Sequence, residues 1–405
     1  MTPIRAGRYV RQPGGYRAFI PTNLPPDPPV DIDSEMLALL SSADQALGRL
    51  DGAARILPNP DLFVATYVRQ EAVLSSQIEG TQSTLDDVLE FELKVKGRTL
   101  PQDVGEVVNY VKAMNYGLER LETLPLSLRL IREIHGQLLL DTRGGDRQPG
   151  EFRQSQNWIG AADAPLSEAA FIPPPPYEMN SALDEFEKYL RNEATPVLIH
   201  CGLTHAQFET VHPFTDGNGR VGRLLITFLL CHRRVLHRPL LYLSYYLKQN
   251  RTEYYDRLMA IRMNGDWEGW LKFFLRGVAE TAEMATATVR TIVDLRESHR
   301  AKIQQAGISR NGLRLLDLLY ESPIVSIPLV EERLAVSYGT ADSLVAHLER
   351  QGLLQEITGA QRNRRYRYGP FLQLFDNRVA EAHPGPRSGD RGMMRQTASR
   401  KRAVK

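Results

Sequence analysis

Between His212 and Arg223 the chain gathers residue types that suit phosphate chemistry: His212-Pro213-Phe214-Thr215-Asp216-Gly217-Asn218-Gly219-Arg220, with Arg223 one helical turn further on. Gly217 and Gly219 lack a Cβ, so the backbone can take positive φ and come close to a ligand. The N–H groups from Gly217 to Arg220 can then form a concave anion nest. Apolar residues at helical spacing after Arg220 predict a helix starting here, whose positive end points at the same nest. Arg220 and Arg223 lie three apart and share a face, so both can reach one phosphate chain. Asp216 is a hard oxygen ligand of the kind Mg2+ accepts, and His212 is the group whose ordinary pKa suits proton abstraction near neutrality. The same residue types also suit an ordinary turn with solvated side chains, and types alone do not separate the two readings.

The full string matches His-Pro-Phe-x-(Asp/Glu)-Gly-Asn-Gly-Arg-x-x-Arg at every fixed position and so resembles the signature of the Fic family. Most members with the intact motif transfer AMP from ATP to a hydroxyl side chain of a target protein. The resemblance implies AMP transfer to a Ser, Thr or Tyr here, auto-modification included. It casts His212 as the base and Asp216 as the Mg2+ ligand, and sets Gly217, Asn218, Gly219, Arg220, Val221, Gly222 and Arg223 around ATP. Tyr246, in the Leu-Ser-x-Tyr segment, and Asn250 are the resemblance's candidates near the base, although each ring of this cluster equally suits a core. Other family chemistry, such as AMP removal or transfer of another nucleotide or of phosphate, is the rival within enzymes. A nucleotide-sensing DNA-binding regulator is the rival outside them.

The motif needs rigid support on both sides. Val221–Val235 is strongly apolar but too short for the ~20 residues of a membrane span, which predicts a buried central helix. Pro196–Val211 predicts the helix that delivers the loop. His205, Glu209 and His212 have spacings that invite a metal site, but His-Glu-x-x-His is absent and Pro213 puts His212 in a loop, so His200 and His205 read as scaffold. His135, within a predicted Leu126–Leu140 helix, reads as a packed residue. Glu151–Pro176, ending in four prolines, reads as a short hairpin and a stiff polyproline segment. In the Fic family the corresponding hairpin is a flap that adds the target as an extra strand. Arg153 matches a family pattern without an assigned role.

Upstream lies a second landmark, Ser75-Ser76-Gln77-Ile78-Glu79-Gly80. Ser75 and Glu79 share a helical face, and Gly80 supplies a stop. The string resembles the family's inhibitory motif, (Ser/Thr)-x-x-x-Glu-(Gly/Asn), in the class with an N-terminal inhibitory helix. That resemblance implies that Glu79 pairs with Arg223 and takes the guanidinium needed for the γ-phosphate. Around this landmark, residues 1–34 are Pro-rich and predict an extended segment, and Ser34–Arg49 predicts a helix. Pro58–Asp61 predicts a turn with Asp61 as a cap. Thr84 predicts a cap over Asp86 and Asp87, and Gly105 to about Thr123 predicts a scaffold helix with no chemistry of its own.

The 405-residue chain has 42% hydrophobic and 24% charged residues and a formal charge of +2, an ordinary globular profile that gives no global reason for nucleic-acid binding. Two cysteines, no long apolar run and no signal-like N-terminus predict a cytoplasmic protein without membrane contact. Residues 309–368 resemble a winged helix, with helices at Asn311–Tyr320, Val330–Ala335 and Thr340–Gln351 and wing strands at Leu353–Ile357 and Arg364–Tyr368. The third helix carries only Arg350 against Asp342 and Glu349, so DNA contact is less favoured than scaffolding, homodimer formation or target choice. The expected fold is mainly α: an extended segment (1–34), a helical region with the inhibitory helix (35–124), a Fic-type helical domain with a β-hairpin flap (125–294), a linker helix with a winged-helix-like domain (295–377), and a disordered basic tail (378–405).

Overall fold

The computed structural model describes residues 5–55, 60–93, 100–140, 148–160, 165–308 and 310–381. The expected breaks at Pro58-Asn59 and Gly144-Gly145, the Asp61 cap, the turn at 161–164 and most of the basic tail lie outside the described residues or side chains. The described chain is mainly α. In order its elements are β1 (Gly7–Arg11), β2 (Arg17–Pro21), α1 (Ser34–Arg55), α2 (Pro60–Ile78), α3 (Leu85–Glu92), α4 (Val104–Arg120), α5 (Leu128–Leu138), α6 (Pro176–Leu190), α7 (Val197–Val211), α8 (Asn218–His232), α9 (Ser244–Gln249), α10 (Arg251–Asn264), α11 (Trp267–Gln305), α12 (Arg310–Glu321), β3 (Ile324–Ser326), α13 (Ile327–Leu334), α14 (Tyr338–Arg350), β4 (Gln355–Glu356), β5 (Arg365–Arg367) and α15 (Gly369–Glu381).

α8 is the buried centre, packed against α7, α4, α5 and α2, with Leu224, Leu225, Phe228 and Leu229 essentially inaccessible. It meets α4 at Gly117, where a Cβ would fall 2.3 Å from the Phe228 ring, so only glycine lets the two backbones approach this closely. α7 is buried along its whole length, which is why its apolar residues show no single stripe. α3 begins with the expected cap, elaborated into a box: Thr84 Oγ1 accepts the Asp87 N–H, and Asp87 accepts the Thr84 N–H at 2.9 Å.

Four local expectations change. The Pro-rich N-terminus is not simply an extended segment: β1 and β2 pair antiparallel, Gly7 opposite Pro21, and Phe19 N–H donates to the Ile172 carbonyl at 2.9 Å. The one proline inside a strand, Pro21, ends β2 at a position whose ladder hydrogen bond is made next to it, by Thr22 N–H to the Ala6 carbonyl. α1 runs beyond Arg49 to Arg55 because it lies alongside α11, tied at Lys272–Asp33 (2.6 Å) and Arg49–Glu283 (3.3 Å). Among the described residues the hairpin within 151–176 has one bridge, Ile159 opposite Phe171, and the prolines that follow have no N–H to extend it. The linker helix expected from 295 is the last part of α11, continuous from Trp267, because buried positions recur at Ala285, Val289, Ile292, His299 and Ile303.

The C-terminal elements follow the order α12, β3, α13, α14, β4, β5, with the short sheet arranged β3-β5-β4. They pack on the N-terminal helices. Phe63 of α2 meets Tyr320 of α12 at 4.9 Å, Tyr67 meets Phe375 of α15 at 5.4 Å, and Arg367 and Arg365 of β5 pair with Asp86 and Glu90 of α3.

Candidate active site

The loop from His212 to Gly217 joins two buried helices, and its backbone polar groups must be paired within the protein. His212 ends α7 in the left-handed region (φ 49, ψ 61), a conformation that costs a non-glycine residue about 1–3 kcal/mol. Surrounding contacts impose it. Arg153, buried, donates from Nε to the His212 carbonyl at 3.0 Å and from Nη2 to the Pro174 carbonyl, while its own N–H donates to Pro213 O at 2.9 Å. Asn157 Nδ2 donates to Phe214 O at 2.9 Å. Asn218 closes the loop on itself: its Oδ1 accepts the Phe214 N–H and its Nδ2 donates to the Phe214 carbonyl, both at 2.8 Å. Gly217, at φ +78, then turns the chain into α8.

His135 supports the loop from below. Its ring stacks on Phe214 (3.7 Å, 9°). Gly150 N–H donates to Nδ1 at 2.9 Å, so Nδ1 carries no proton and Nε2–H donates to the Asp216 carbonyl at 3.0 Å. The imidazole is therefore neutral, with burial pushing its pKa down to about 4. The packed-residue expectation holds, yet what His135 packs is the loop itself.

Burial likewise pushes His212 down to about 3, reinforced by the Arg262 and Arg153 charges and opposed by the Glu209 carbonyl and Asp216. The His212 ring is thus unprotonated at neutral pH and able to accept a proton. His205 is occupied elsewhere: Nδ1–H donates to Gly222 O at 2.9 Å, and Tyr254 O–H donates to Nε2 at 2.8 Å. Glu209 is buried beside Gly222 and Arg223, and burial pushes its carboxyl up to about 7.

The two arginines part company. Arg223, on the first turns of α8 and 2% exposed, donates from Nε to Ser75 Oγ (2.7 Å) and from Nη2 to Ser75 O (3.0 Å) and Glu79 Oε1 (2.6 Å). Burial opposes its charge, but Glu79, Tyr254, Tyr255 and Glu209 outweigh burial and raise its pKa. The Glu79 carboxylate stands over the start of α8: a Cβ on Gly219 would fall 2.2 Å from Glu79 Oε1. A helix N-terminus favours an anion, and here the anion is the side chain that immediately follows α2. Arg251 Nε caps the same end of α2 at the Ile78 carbonyl, 3.1 Å, and Gly80, at φ +105, turns the chain away. Arg220 instead donates from Nη1 to Glu106 Oε2 of α4 at 2.9 Å, and its Nη2 lies 3.6 Å from Asp216 Oδ1. Asp216 Oδ1 also accepts the Gly217 N–H at 2.6 Å.

The structure thus brings His212, Asp216, Gly217, Asn218, Gly219, Arg220, Val221, Gly222 and Arg223 together with Ser75 and Glu79. Tyr246 packs instead on Phe273 (5.1 Å) and against Gly277 of α11, and Asn250 Nδ2 donates to the Tyr246 carbonyl at 3.0 Å. Glu106, His135, Asn157 and Arg262 join the site unforeseen. Arg262 donates to Glu209 O at 3.1 Å and lies 3.8 Å over the Phe171 ring, linking α10 to the last turn of α7 and to the Ile159–Phe171 bridge. Nothing in the residues around Glu106 or Arg262 marks them out; their partners lie on distant elements.

These buried groups set a pH dependence. Burial lowers His135, His200 and His205 from 6.5 to about 4 and His212 to about 3. Each takes up a proton below pH 6.5 only when unfolded, so its contribution to stability is complete above 6.5 and is lost as pH falls toward the folded value. Glu71 and Glu209, raised from 4.5 to about 7, act oppositely: their contribution is complete below 4.5 and is lost as pH rises through 7. With His299, which burial likewise lowers to about 4, five groups outweigh two, so the calorimetric unfolding midpoint is expected to fall between pH 6.5 and 4.5; a rise over that span would contradict this assignment.

Comparison with known proteins fits this geometry. The Fic/DOC family N-terminal model matches residues 37–119, and the Fic/DOC family model matches residues 125–230. The chain is 28% identical over 264 residues to the protein adenylyltransferase Fic of Drosophila melanogaster, covering 62% of this chain and 47% of that protein. To the protein of the same name from Drosophila mojavensis it is 31% identical over 215 residues, covering 51% and 38%. The chain thus spans less than half the length of these curated relatives. A crystal structure of a Fic family protein from Desulfovibrio desulfuricans shares the fold, with a TM-score of 0.55 at 19% identity over 84% of this chain and 97% of that one. Residues 37–119 and 125–230 thus match the two Fic/DOC family models, and the chain has the fold of that Fic family structure.

Proposed function

We propose that this chain is a protein adenylyltransferase that transfers AMP from ATP to a Ser, Thr or Tyr hydroxyl and is held down by its own Glu79. The observation that carries the reading is a neutral imidazole at the entrance of a helix N-terminus whose anion position is filled by a carboxylate. A site that takes Glu79 against Arg223 and Gly219 is built for an anion, and the γ-phosphate of ATP is the anion that would displace it. The relatives, each named a protein adenylyltransferase, support the same activity.

In the proposed reaction His212 takes the proton of the target hydroxyl. The oxygen attacks the α-phosphorus, the bond from that phosphorus to the bridging oxygen breaks, and pyrophosphate leaves with the electron pair. The N–H groups of Asn218 and Gly219 face the phosphate oxygens, while Gly217, whose N–H is held by Asp216, lets the backbone come close to them. Arg220 and Arg223 supply the cations at the β/γ end, with Val221 and Gly222 forming the wall between them. Asp216, half-exposed at the loop, fits Mg2+, which needs few protein ligands because it keeps waters and binds substrate phosphates. When bound, Mg2+ supplies charge neutralisation on those phosphates. Tyr246 and Asn250 are assigned to the adenine side. A target strand would add to the Ile159 side of the flap, since the Ile172 carbonyl is engaged by Phe19.

We read the N-terminal region (35–124) as the inhibitory part, 125–294 as the catalytic part, and 295–377 as a winged-helix-like module that braces α2 and α3. Three of its wing arginines are already paired, Arg364 with Asp342, Arg365 with Glu90 and Arg367 with Asp86, which disfavours DNA on that surface. No helix among the described residues is long and apolar enough to cross a membrane. The test is ATP labelled at the α- or the γ-phosphorus, given to the Glu79→Gly protein. The α label should become protein-bound and the γ label should not. Protein-bound γ label would mean phosphate transfer, and no label from either would overturn the reading.

A further inference from the structure

We propose that Glu106 is a positioning residue: it holds Arg220, and through Arg220 the carboxylate of Asp216, in the geometry that receives Mg2+-ATP. The inference rests on the nucleotide-binding reading above and concerns a residue outside the loop motif, in the first turn of α4.

Arg220 is nearly sealed in, its side chain 4% exposed, whereas Glu106 is 30% exposed. Glu106 Oε2 takes Nη1 at 2.9 Å, while Nη2 faces Asp216 Oδ1 at 3.6 Å. The Nε of Arg220 is buried without a hydrogen-bond partner, so the planar group is oriented from its outer nitrogens. One guanidinium therefore bridges two carboxylates: one on α4 and one at the turn where the cation would bind. A guanidinium is rigid and planar, so fixing one edge fixes the other. Asp216 is steadied from three directions: by Arg220, by the Gly217 N–H on its carboxylate, and by His135 Nε2–H on its carbonyl. Of these, only the Arg220 contact depends on a residue of the N-terminal helical region.

Glu106 could alternatively act as Glu79 does, competing with phosphate for its arginine. The geometry separates the two cases. Glu79 lies over Gly219 at the open start of α8, in the path of a phosphate. Glu106 approaches Arg220 from α4, which packs against the side of α8, and its pairing leaves the guanidinium edge at Asp216 in place. Removing Glu106 should thus weaken nucleotide binding, where removing Glu79 should not.

The experiment measures ATP binding by titration calorimetry in the Glu79→Gly background, in Mg2+ and in EDTA. Glu106→Ala is expected to weaken binding in Mg2+ about tenfold, on the scale of one lost charge-assisted contact, and to weaken it clearly less in EDTA, where Arg220 is still disturbed but Asp216 holds no cation. Glu106→Gln keeps an acceptor and the side-chain shape and should fall between; thermal melting of both variants checks that they fold. Unchanged or tighter binding in Mg2+, or equal losses in Mg2+ and EDTA, would overturn the proposal for Glu106 alone. A Glu79→Gly parent that binds no ATP at all would overturn the nucleotide reading and this inference with it.

Discussion

Glycine in place of Glu79 is expected to raise AMP transfer onto the protein itself by about 100-fold, the scale on which a ~1 Å misplacement of a reacting phosphate is felt. In the structure two of the three guanidinium nitrogens of Arg223 are committed, and the third, Nη1, lies beside Gly219. Nε is committed to Ser75 and Nη2 to Ser75 and Glu79, and the Glu79 oxygen stands where Gly219 leaves room beside the start of α8. ATP that binds while this pair persists must hold its γ-phosphate away from Arg223, which displaces the α-phosphorus from His212. Without Glu79, the guanidinium is a buried cation lacking its carboxylate. Breaking a fully buried pair costs roughly 3–5 kcal/mol, and the cost here should be smaller because Glu79 is 36% exposed. The variant should therefore melt lower than the parent without nucleotide and gain more from added ATP, because the phosphate restores the missing charge. Incorporation of label from α-labelled ATP, with melting curves with and without ATP, checks both. An unchanged or reduced rate of labelling would remove Glu79 from the inhibitory role.

Alanine in place of His212, made in the same Glu79→Gly background so that activity is measurable, is expected to lower transfer by about 10²–10⁴-fold, the usual worth of a positioned general base. ATP affinity should stay within about twofold, because the phosphate contacts assigned here come from the N–H groups of α8 and from the arginines. Burial and the Arg262 and Arg153 charges keep the imidazole unprotonated above about pH 3, so mild acid should not switch the reaction off by charging His212. His212 is held in a left-handed conformation by the Arg153 and Asn157 contacts around it, which aims the ring without requiring help from the substrate. Transfer by the alanine variant at the parent rate would assign the proton to another group.

Which of these features could be read from the chain follows from how far apart the partners lie. Asn218 bonds the Phe214 backbone four residues away, Thr84 and Asp87 form a cap within one turn, and Gly217 takes the left-handed turn that its missing Cβ allows. Such contacts depend on local backbone geometry, and the residue types announce them. Glu106 and Arg220 are 114 positions apart, and His135 and Asp216 are 81 apart. No local rule distinguishes Glu106 from any other acid in a first helical turn, or His135 from any other histidine on an apolar helix. The paired motifs, Ser75 to Gly80 and His212 to Arg223, pointed toward each other only through family resemblance; their contact at 2.6 Å is a property of how α2 lies across the start of α8.

By itself the amino-acid order determined the loop that can cradle a phosphate, the apolar run that must bury itself as α8, and the serine and glutamate that share one face at the end of α2. Folding in three dimensions decided the rest. It assigned Arg223 to Glu79 and Arg220 to Glu106, carried α11 unbroken past position 295, laid the β1–β2 hairpin against Ile172, and turned Arg367 and Arg365 of β5 toward Asp86 and Glu90. The reason is physical. Backbone turns and helix caps are satisfied within a few residues, whereas an ion pair forms with whichever opposite charge the packed helices bring within about 4 Å.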